Sequence, residues 1–320
     1  MSTSKIRFCS VDSTTSGESP IGSGWHTPTL IVTEIPLPWP GDTLTGRNIP
    51  NGMKEMINSR YETHSGWGLI GCAPDDAYSV PGYYRVMKCF TGEDSLGRFQ
   101  RRTFLVPHEK MVDGIDGIFD DVLIDGVQEI EDSTRDILLC TQGSVDACCA
   151  KFGYPLYALM RKMADNPGSN VRVWRSTHFG GHRFAPTYLD VPSGRYWGRI
   201  TPQEASGLMH QTRPASELIH MYRGSAVLPA PIPQVVEGAL LAELGWNMDR
   251  ADISRLDVTE LEGDRWQATG TVTMPDQEPV EFEVECVQTG IISLKGHCNY
   301  DLITDAPQFE ANIRVRVATY

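Results

Sequence analysis

Apolar residues recur along this chain with two periods. Thr29-Leu-Ile-Val-Thr-Glu-Ile35 is β-branched and stops at Pro36, Pro38 and Pro40, as a strand running into a rigid loop does. Met53, Met56 and Ile57 share one face of a short helix within residues 50–61. The runs Trp67–Cys72, Tyr84–Phe90 and Phe99–Val106 then predict three more strands. The order returns more strongly beyond residue 135. Asp136-Ile-Leu-Leu-Cys140 predicts a buried strand, and Phe152, Leu156, Leu159, Met160 and Met163 form one helical stripe. Val171–Arg175 predicts another strand, and Tyr188–Val191 with Arg195–Ile200 a hairpin around Pro192-Ser-Gly194. Thr201-Pro-Gln-Glu204 predicts a helix start: threonine caps, proline suits the first helical position, and glutamate closes a capping box.

Pro-rich Leu228–Pro233 predicts a semi-rigid linker, followed by a helix over Val235–Leu244. Strict alternation over residues 266–274 and 280–286 then predicts an antiparallel hairpin turning at Pro275–Pro279. The fold class is thus α/β (α+β), in three parts: 1–130, 131–227 and 234–320. The central part has a thioredoxin-like order, β-loop-α-β-loop-β-β-α. The first part is expected to be a degenerate copy of it, and the last a small α+β module carrying no evident chemistry.

Composition narrows the function classes. Of 320 residues, 40% are hydrophobic and 22% charged, an ordinary globular balance. No apolar run is long enough for a bilayer span, and the segment from Met1 to Cys9 lacks a secretory apolar region. The expected setting is therefore cytoplasmic, with no membrane partner. Twenty-eight basic against 41 acidic residues leave a net charge of −13, which argues against nucleic acid as a partner. Eight carboxylates and no lysine or arginine fall between Met111 and Asp132. That run reads as a solvated connector or as a docking surface for a reductase.

Cysteine usage supplies the chemistry. In a reducing compartment clustered cysteines point to metal binding or catalysis rather than to a disulfide framework. Cys9, Cys72, Cys89, Cys286 and Cys298 stand singly and are expected to be small buried hydrophobes, whereas Cys140, Cys148 and Cys149 cluster. Cys140 and Cys149 lie on a strand-to-helix loop, and His178-Phe-Gly-Gly-His182 follows the next strand. Thiolate and imidazole suit both iron and zinc. Two pairs of ligands fit the two irons of a [2Fe–2S] rhomb, and a Cys₂His₂ zinc site also fits. The eight residues between Cys140 and Cys149 are more than the two to four of common zinc fingers. A thiol–disulfide oxidoreductase is a third reading, weakened by the absence of Cys-x-x-Cys. His297 and five further histidines have no ligand-like partners by sequence. Lys151 and Arg183, which flank the candidate ligands, are either charge-balancing cations or solvated ones.

The stretch Cys140–Gly198 resembles the sucrase/ferredoxin-like family of thioredoxin-fold ferredoxins. The resemblance rests on Cys140-Thr-Gln-Gly, on Cys148-Cys-Ala-Lys-Phe-Gly-Tyr-Pro-Leu156, on His178-Phe-Gly-Gly-His-Arg-Phe-Ala-Pro186 and on Pro192-Ser-Gly-Arg-Tyr-Trp-Gly-Arg199. It implies a bis-histidinyl, non-Rieske [2Fe–2S] cluster with Cys140 and Cys149 as thiolate ligands and His178 and His182 as imidazole ligands. The implied role is one-electron transfer between a reductase and an acceptor rather than stand-alone enzyme catalysis. Neutral imidazoles raise the potential above that of all-cysteine ferredoxins. Loss of a ring proton would make that potential fall as pH rises.

Overall fold

A computed structural model describes residues 7–92 and 96–317; the leader reading at residues 1–6 lies outside them. Helix α1 (Cys9–Thr15) precedes strand β1 (Thr29–Glu34), helix α2 (Met53–Thr63) and strands β2 (Trp67–Cys72), β3 (Tyr83–Thr91) and β4 (Phe99–Pro107). Helix α3 (Met111–Phe119) and short strand β5 (Gln128–Ile130) follow. Next come β6 (Arg135–Cys140), α4 (Tyr154–Ala164), β7 (Val171–Ser176), the hairpin of β8 (Thr187–Val191) and β9 (Arg195–Gly198), and α5 (Pro202–Met209). Helix α6 (Ala215–Leu218), β10 (Tyr222–Ser225) and α7 (Ile232–Leu244) lead to the long strands β11 (Asp252–Leu261), β12 (Arg265–Thr273), β13 (Val280–Lys295) and β14 (Ile303–Val317).

The first ten strands form one mixed sheet in the order β10-β9-β8-β6-β7-β2-β1-β3-β4-β5, and the last four an antiparallel sheet. The molecule is mixed α/β, as the two hydrophobic periods require. One pairing order occurs twice. Strand β1 is parallel to β2 and antiparallel to β3, which pairs with β4. Likewise β6 is parallel to β7 and antiparallel to β8, which pairs with β9. The two sets meet where Cys72 of β2 pairs with Ser176 of β7.

Side-chain alternation on β6 decides what each face buries. Ile137 and Leu139 join Leu156 and Met160 of α4 and Leu240 of α7 in one core. Leu138 and Cys140 face the other way, into a core shared with Leu30 and Val32 of β1. Cys140 therefore ends its strand beneath the junction of the two repeated units. The capping box at Thr201 and Glu204 forms as its spacing requires.

An ionic network crosses the same junction. Fully buried Asp136 accepts from Arg101, Arg172 and the Trp174 indole. Asp132 accepts from Arg85 and Arg172. Burial alone would raise the Asp132 carboxyl, but the hydrogen bond and charge of Arg172 outweigh it and hold the group below its usual value. A depressed folded-state pKa contributes stability above the unfolded value, near 3.9, and loses it as pH falls through the folded value. Asp132→Asn should cost about 3–5 kcal/mol at pH 7, because it strips charge from a buried pair. In urea titrations that deficit should shrink as pH drops below about 4; a deficit unchanged between pH 7 and pH 3 would refute the linkage.

Two expectations are corrected here. The acidic run is not a bare connector. Met111, Ile115 and Ile118 recur at helical spacing and are buried as one face of α3. Asp116 and Asp120 of this run bind Arg60, and Asp121 and Glu129 bind Arg102. Nor is Leu228–Pro233 a free linker: Leu228 is buried, and Gln234 Nε2 donates to the Ser225 and Leu228 carbonyls.

Candidate metal centre

Strand β6 ends at Cys140, and the chain returns through Asp146 into one π-helical turn, Cys149–Gly153, before α4. Gly153 makes this return possible. Any Cβ there would overlap the Cys140 carbonyl oxygen, so only glycine lets the turn lie against the strand end. Cys149 is thereby set beside Cys140. From the other side, Gly180 and Gly181 both adopt positive φ, 83° and 72°, a backbone that residues with a Cβ rarely take. The loop folds back on itself and brings the His178 and His182 rings to a 5.3 Å centroid separation. Gln142 fastens the two loops, accepting from the His178 N–H at 2.7 Å and donating to the Pro40 carbonyl at 2.6 Å.

The result is a convergent donor set. His178 Nδ1 lies 3.6 Å from Cys140 Sγ and 3.5 Å from Cys149 Sγ. All three ligand atoms fall within 4.8 Å of one another. Sulfur and nitrogen bound tetrahedrally to one metal, at bond lengths of about 2.3 and 2.0 Å, stand about 3.5 Å apart. Burial would raise the Cys140 thiol, but hydrogen bonds from Cys149 and His178 outweigh it and bring it down to about 5. Cys149 is pushed up by its contact with Cys140 and by burial. One thiolate is therefore favoured in this pocket before any cation enters.

His182 is not brought into this close group: its ring stands 5.3 Å from that of His178, and its ligand-distance neighbours are Asp146 and His297. Its Nε2–H donates to the Gly296 carbonyl at 2.7 Å, a bond that fixes the tautomer and leaves Nδ1 as a bare lone pair. That Nδ1 is buried without a hydrogen-bond partner. Burial lowers the imidazole to about 4, so the ring is neutral at physiological pH. A buried neutral nitrogen with nothing to accept from is what an absent electrophile would leave behind.

Cys148 points away from this pocket. Its sulfur lies 3.6 Å from Cys9 Sγ and 3.2 Å from Cys298 Sγ. Cys9 and Cys298 are thus not isolated hydrophobes, and the C-terminal part brings metal-capable side chains to this group. Strands β13 and β14 are long enough to project their connecting loop, Gly296–Leu302, back onto the ten-stranded sheet. His297 from this loop places Nδ1 3.1 Å from Asp146 Oδ2 and its ring 4.7 Å from that of His182. Its lack of partners in the sequence pattern is corrected accordingly. Cys9, Cys148 and Cys298 lie 139 to 289 positions apart, a separation that leaves no local signal.

The surrounding cations differ from the two that flank the ligands in sequence. Arg183 is bound to buried Glu18 at 2.7 Å. Arg223 instead lies fully buried under the Gly180-Gly181 turn, donating to the Ser23 carbonyl and over the rings of Phe184 and Tyr196. No carboxylate lies against it among the described residues. Burial lowers it to about 10, opposed by the charges of Tyr196, Cys140 and Cys149.

Fold and site together define a mixed α/β protein with a buried cysteine–histidine pocket able to take a thiophilic metal. Comparison with known proteins makes this more specific. The family described as sucrase/ferredoxin-like matches residues 21–224, and the chain belongs to that family. Two curated relatives share the name altered inheritance of mitochondria protein 32. The protein from Debaryomyces hansenii is 29% identical over 94 residues, which is 28% of this chain and 34% of the relative. The protein from Meyerozyma guilliermondii is 29% identical over 103 residues, 30% of this chain and 36% of the relative. The match thus spans about a third of either relative's length. No solved structure matches the chain. No helix among the described residues is long and apolar enough to cross a membrane.

Proposed function

We propose that this chain is a one-electron carrier whose [2Fe–2S] cluster is held by Cys140, Cys149, His178 and His182 in a thioredoxin-like unit. The observation that carries the reading is the close Cys140–Cys149–His178 group, with the His182 ring 5.3 Å from that of His178 and its buried Nδ1 free of any hydrogen-bond partner. When bound, such a cluster supplies reversible one-electron chemistry, at a potential raised by two neutral ligands in place of thiolates. The residues around it do the rest. Gln142 holds the histidine loop in register, the Gly296 carbonyl orients His182, and the surrounding core keeps water from the sulfurs. On this reading residues 1–130 are a degenerate thioredoxin-like half without a cluster. The strongly acidic surface suits a reductase with a basic docking face as electron donor, and the acceptor is a second redox protein.

The 3.5–3.6 Å sulfur–nitrogen separations also favour a second reading, one tetrahedral zinc on the same residues. The two differ in colour. Protein purified without oxygen should be red-brown, with sulfide-to-iron absorption bands and, after dithionite, a rhombic EPR signal. Colourless protein in which Cys140→Ser removes a stoichiometric zinc ion would replace the electron-carrier reading with the zinc one.

A further inference from the structure

Vicinal Cys148 and Cys149 serve two different sites. Cys149 faces Cys140 and His178, while Cys148 closes a triangle with Cys9 and Cys298. The three sulfurs stand 3.6, 3.2 and 3.5 Å apart, and all eight cysteines are free thiols. Asp146 completes the group, with its carboxylate oxygens 3.9 and 4.0 Å from Cys9 Sγ and within 4.8 Å of every sulfur. Helix α1, the loop after β6 and the β13–β14 loop all contribute.

We propose that Cys9, Cys148 and Cys298, with Asp146 as fourth ligand, form a structural Zn²⁺ site separate from the Cys140–Cys149–His178–His182 centre. Sulfurs bound tetrahedrally to one zinc at about 2.3 Å lie about 3.8 Å apart, so the triad needs only a slight expansion to admit the ion. Three thiols at mutual contact in a closed pocket gain little from one another as weak donors and acceptors, but they are good soft ligands for zinc. Binding releases one proton from each thiol that becomes a thiolate, and no electron is exchanged.

The surroundings match a site built for sulfur anions. The Cys9 N–H donates to Cys298 Sγ at 3.3 Å, and the Ser10 hydroxyl donates to Cys148 Sγ at 3.2 Å. Asp146 is oriented by the Cys148 and Cys298 N–H groups at 2.8 and 2.9 Å. Such outer hydrogen bonds offset ligand charge and set ligand direction. Three of the four ligands, Cys9, Cys148 and Asp146, are fully buried and Cys298 is half-buried, which suits a structural rather than a catalytic zinc site. The ion would pin the first helix and the C-terminal sheet to the loop that also carries Cys149.

The test uses the whole chain, expressed with zinc and purified without oxygen. Zinc-edge X-ray absorption reads this shell alone, even in the presence of iron. Three sulfurs at about 2.3 Å and one oxygen at about 2.0–2.2 Å are expected. Metal analysis should give about one zinc per chain, lost at least tenfold in Cys9→Ser and retained in Cys140→Ser. If Cys9→Ser does not fold, the absorption spectrum of the unmodified protein decides alone. A shell of two sulfurs and two nitrogens, or zinc that leaves with Cys140 and not with Cys9, would overturn the proposal by placing the ion in the other centre. Zinc-free protein, or a disulfide within the triad seen as a two-dalton mass deficit, would overturn it equally. Zinc found in the other centre would count against iron there as well, whereas zinc-free protein or a disulfide within the triad leaves the first centre to be read from iron content and colour.

Discussion

Cys149→Ser protein should emerge from anaerobic purification colourless, with iron content down more than tenfold, whereas Cys148→Ser protein should keep its visible bands. The two positions are adjacent, and both side chains are buried. They differ in direction. The π-helical turn beginning at Cys149 aims that sulfur at Cys140 and His178, and Asp146 fixes the backbone of Cys148 so that its sulfur meets Cys9 and Cys298. A serine hydroxyl is a poor replacement for thiolate at iron, so a lost ligand removes the metal rather than weakening it. Cys148→Ser should instead lower the zinc content and the thermal midpoint. Equal iron loss in both variants would show that the vicinal pair is not divided between two centres.

Arg223→Met should lower the reduction potential of the centre while leaving the metal-free protein as stable as the parent, or more so. The reason lies in the missing carboxylate. Burying an unpaired guanidinium costs several kcal/mol, and among the described residues Arg223 has only neutral acceptors, the Ser23 carbonyl and hydroxyl and the Gly180 carbonyl, and two aromatic rings. On the electron-carrier reading, the counter-charge of this cation is the proposed cluster, whose ligands Cys140 and Cys149 already act on it with Tyr196. Removing a unit positive charge from the layer around a redox group shifts the potential downward by on the order of 100 mV at an effective dielectric constant near 20. Spectroelectrochemistry reads the shift, and urea unfolding of metal-free protein reads the stability. A metal-free variant destabilised by several kcal/mol with an unchanged potential would mean that Arg223 is purely a packing element.

Much of the secondary structure was legible because it rests on short-range pattern. Strands β1 and β6 carry the apolar runs Leu30–Val32 and Ile137–Cys140, and α5 announces itself by Thr201-Pro-Gln-Glu204. Helix α3 was hidden because its apolar face is diluted by Asp113 and Asp116, which turn a helix into an apparent acidic tract. The Cys140, Cys149 and His178 group was legible for a similar reason, each residue standing at the end of a recognisable strand or the start of a helix. The second group was not. Cys9 opens α1 and Cys298 lies in the β13–β14 loop, far apart in sequence, and their meeting depends on how far the β13–β14 hairpin reaches. The signal that was available is a surplus: more buried thiols than a small apolar residue is needed for, in a chain that also places His297 next to Cys298.

The pairing of Cys9 with Cys298 has a consequence for how the molecule is made. Residues 289 positions apart must be present together before the loop carrying Cys149 is clamped on both sides. A nascent chain still being extended through β13 holds its first thiols open to oxidation or to stray metal. Loading of the proposed zinc site is therefore expected to be a post-synthetic event, in which a late-arriving hairpin acts as the closing latch. Chains truncated before that hairpin should then be the ones that a cell's quality control finds unfinished.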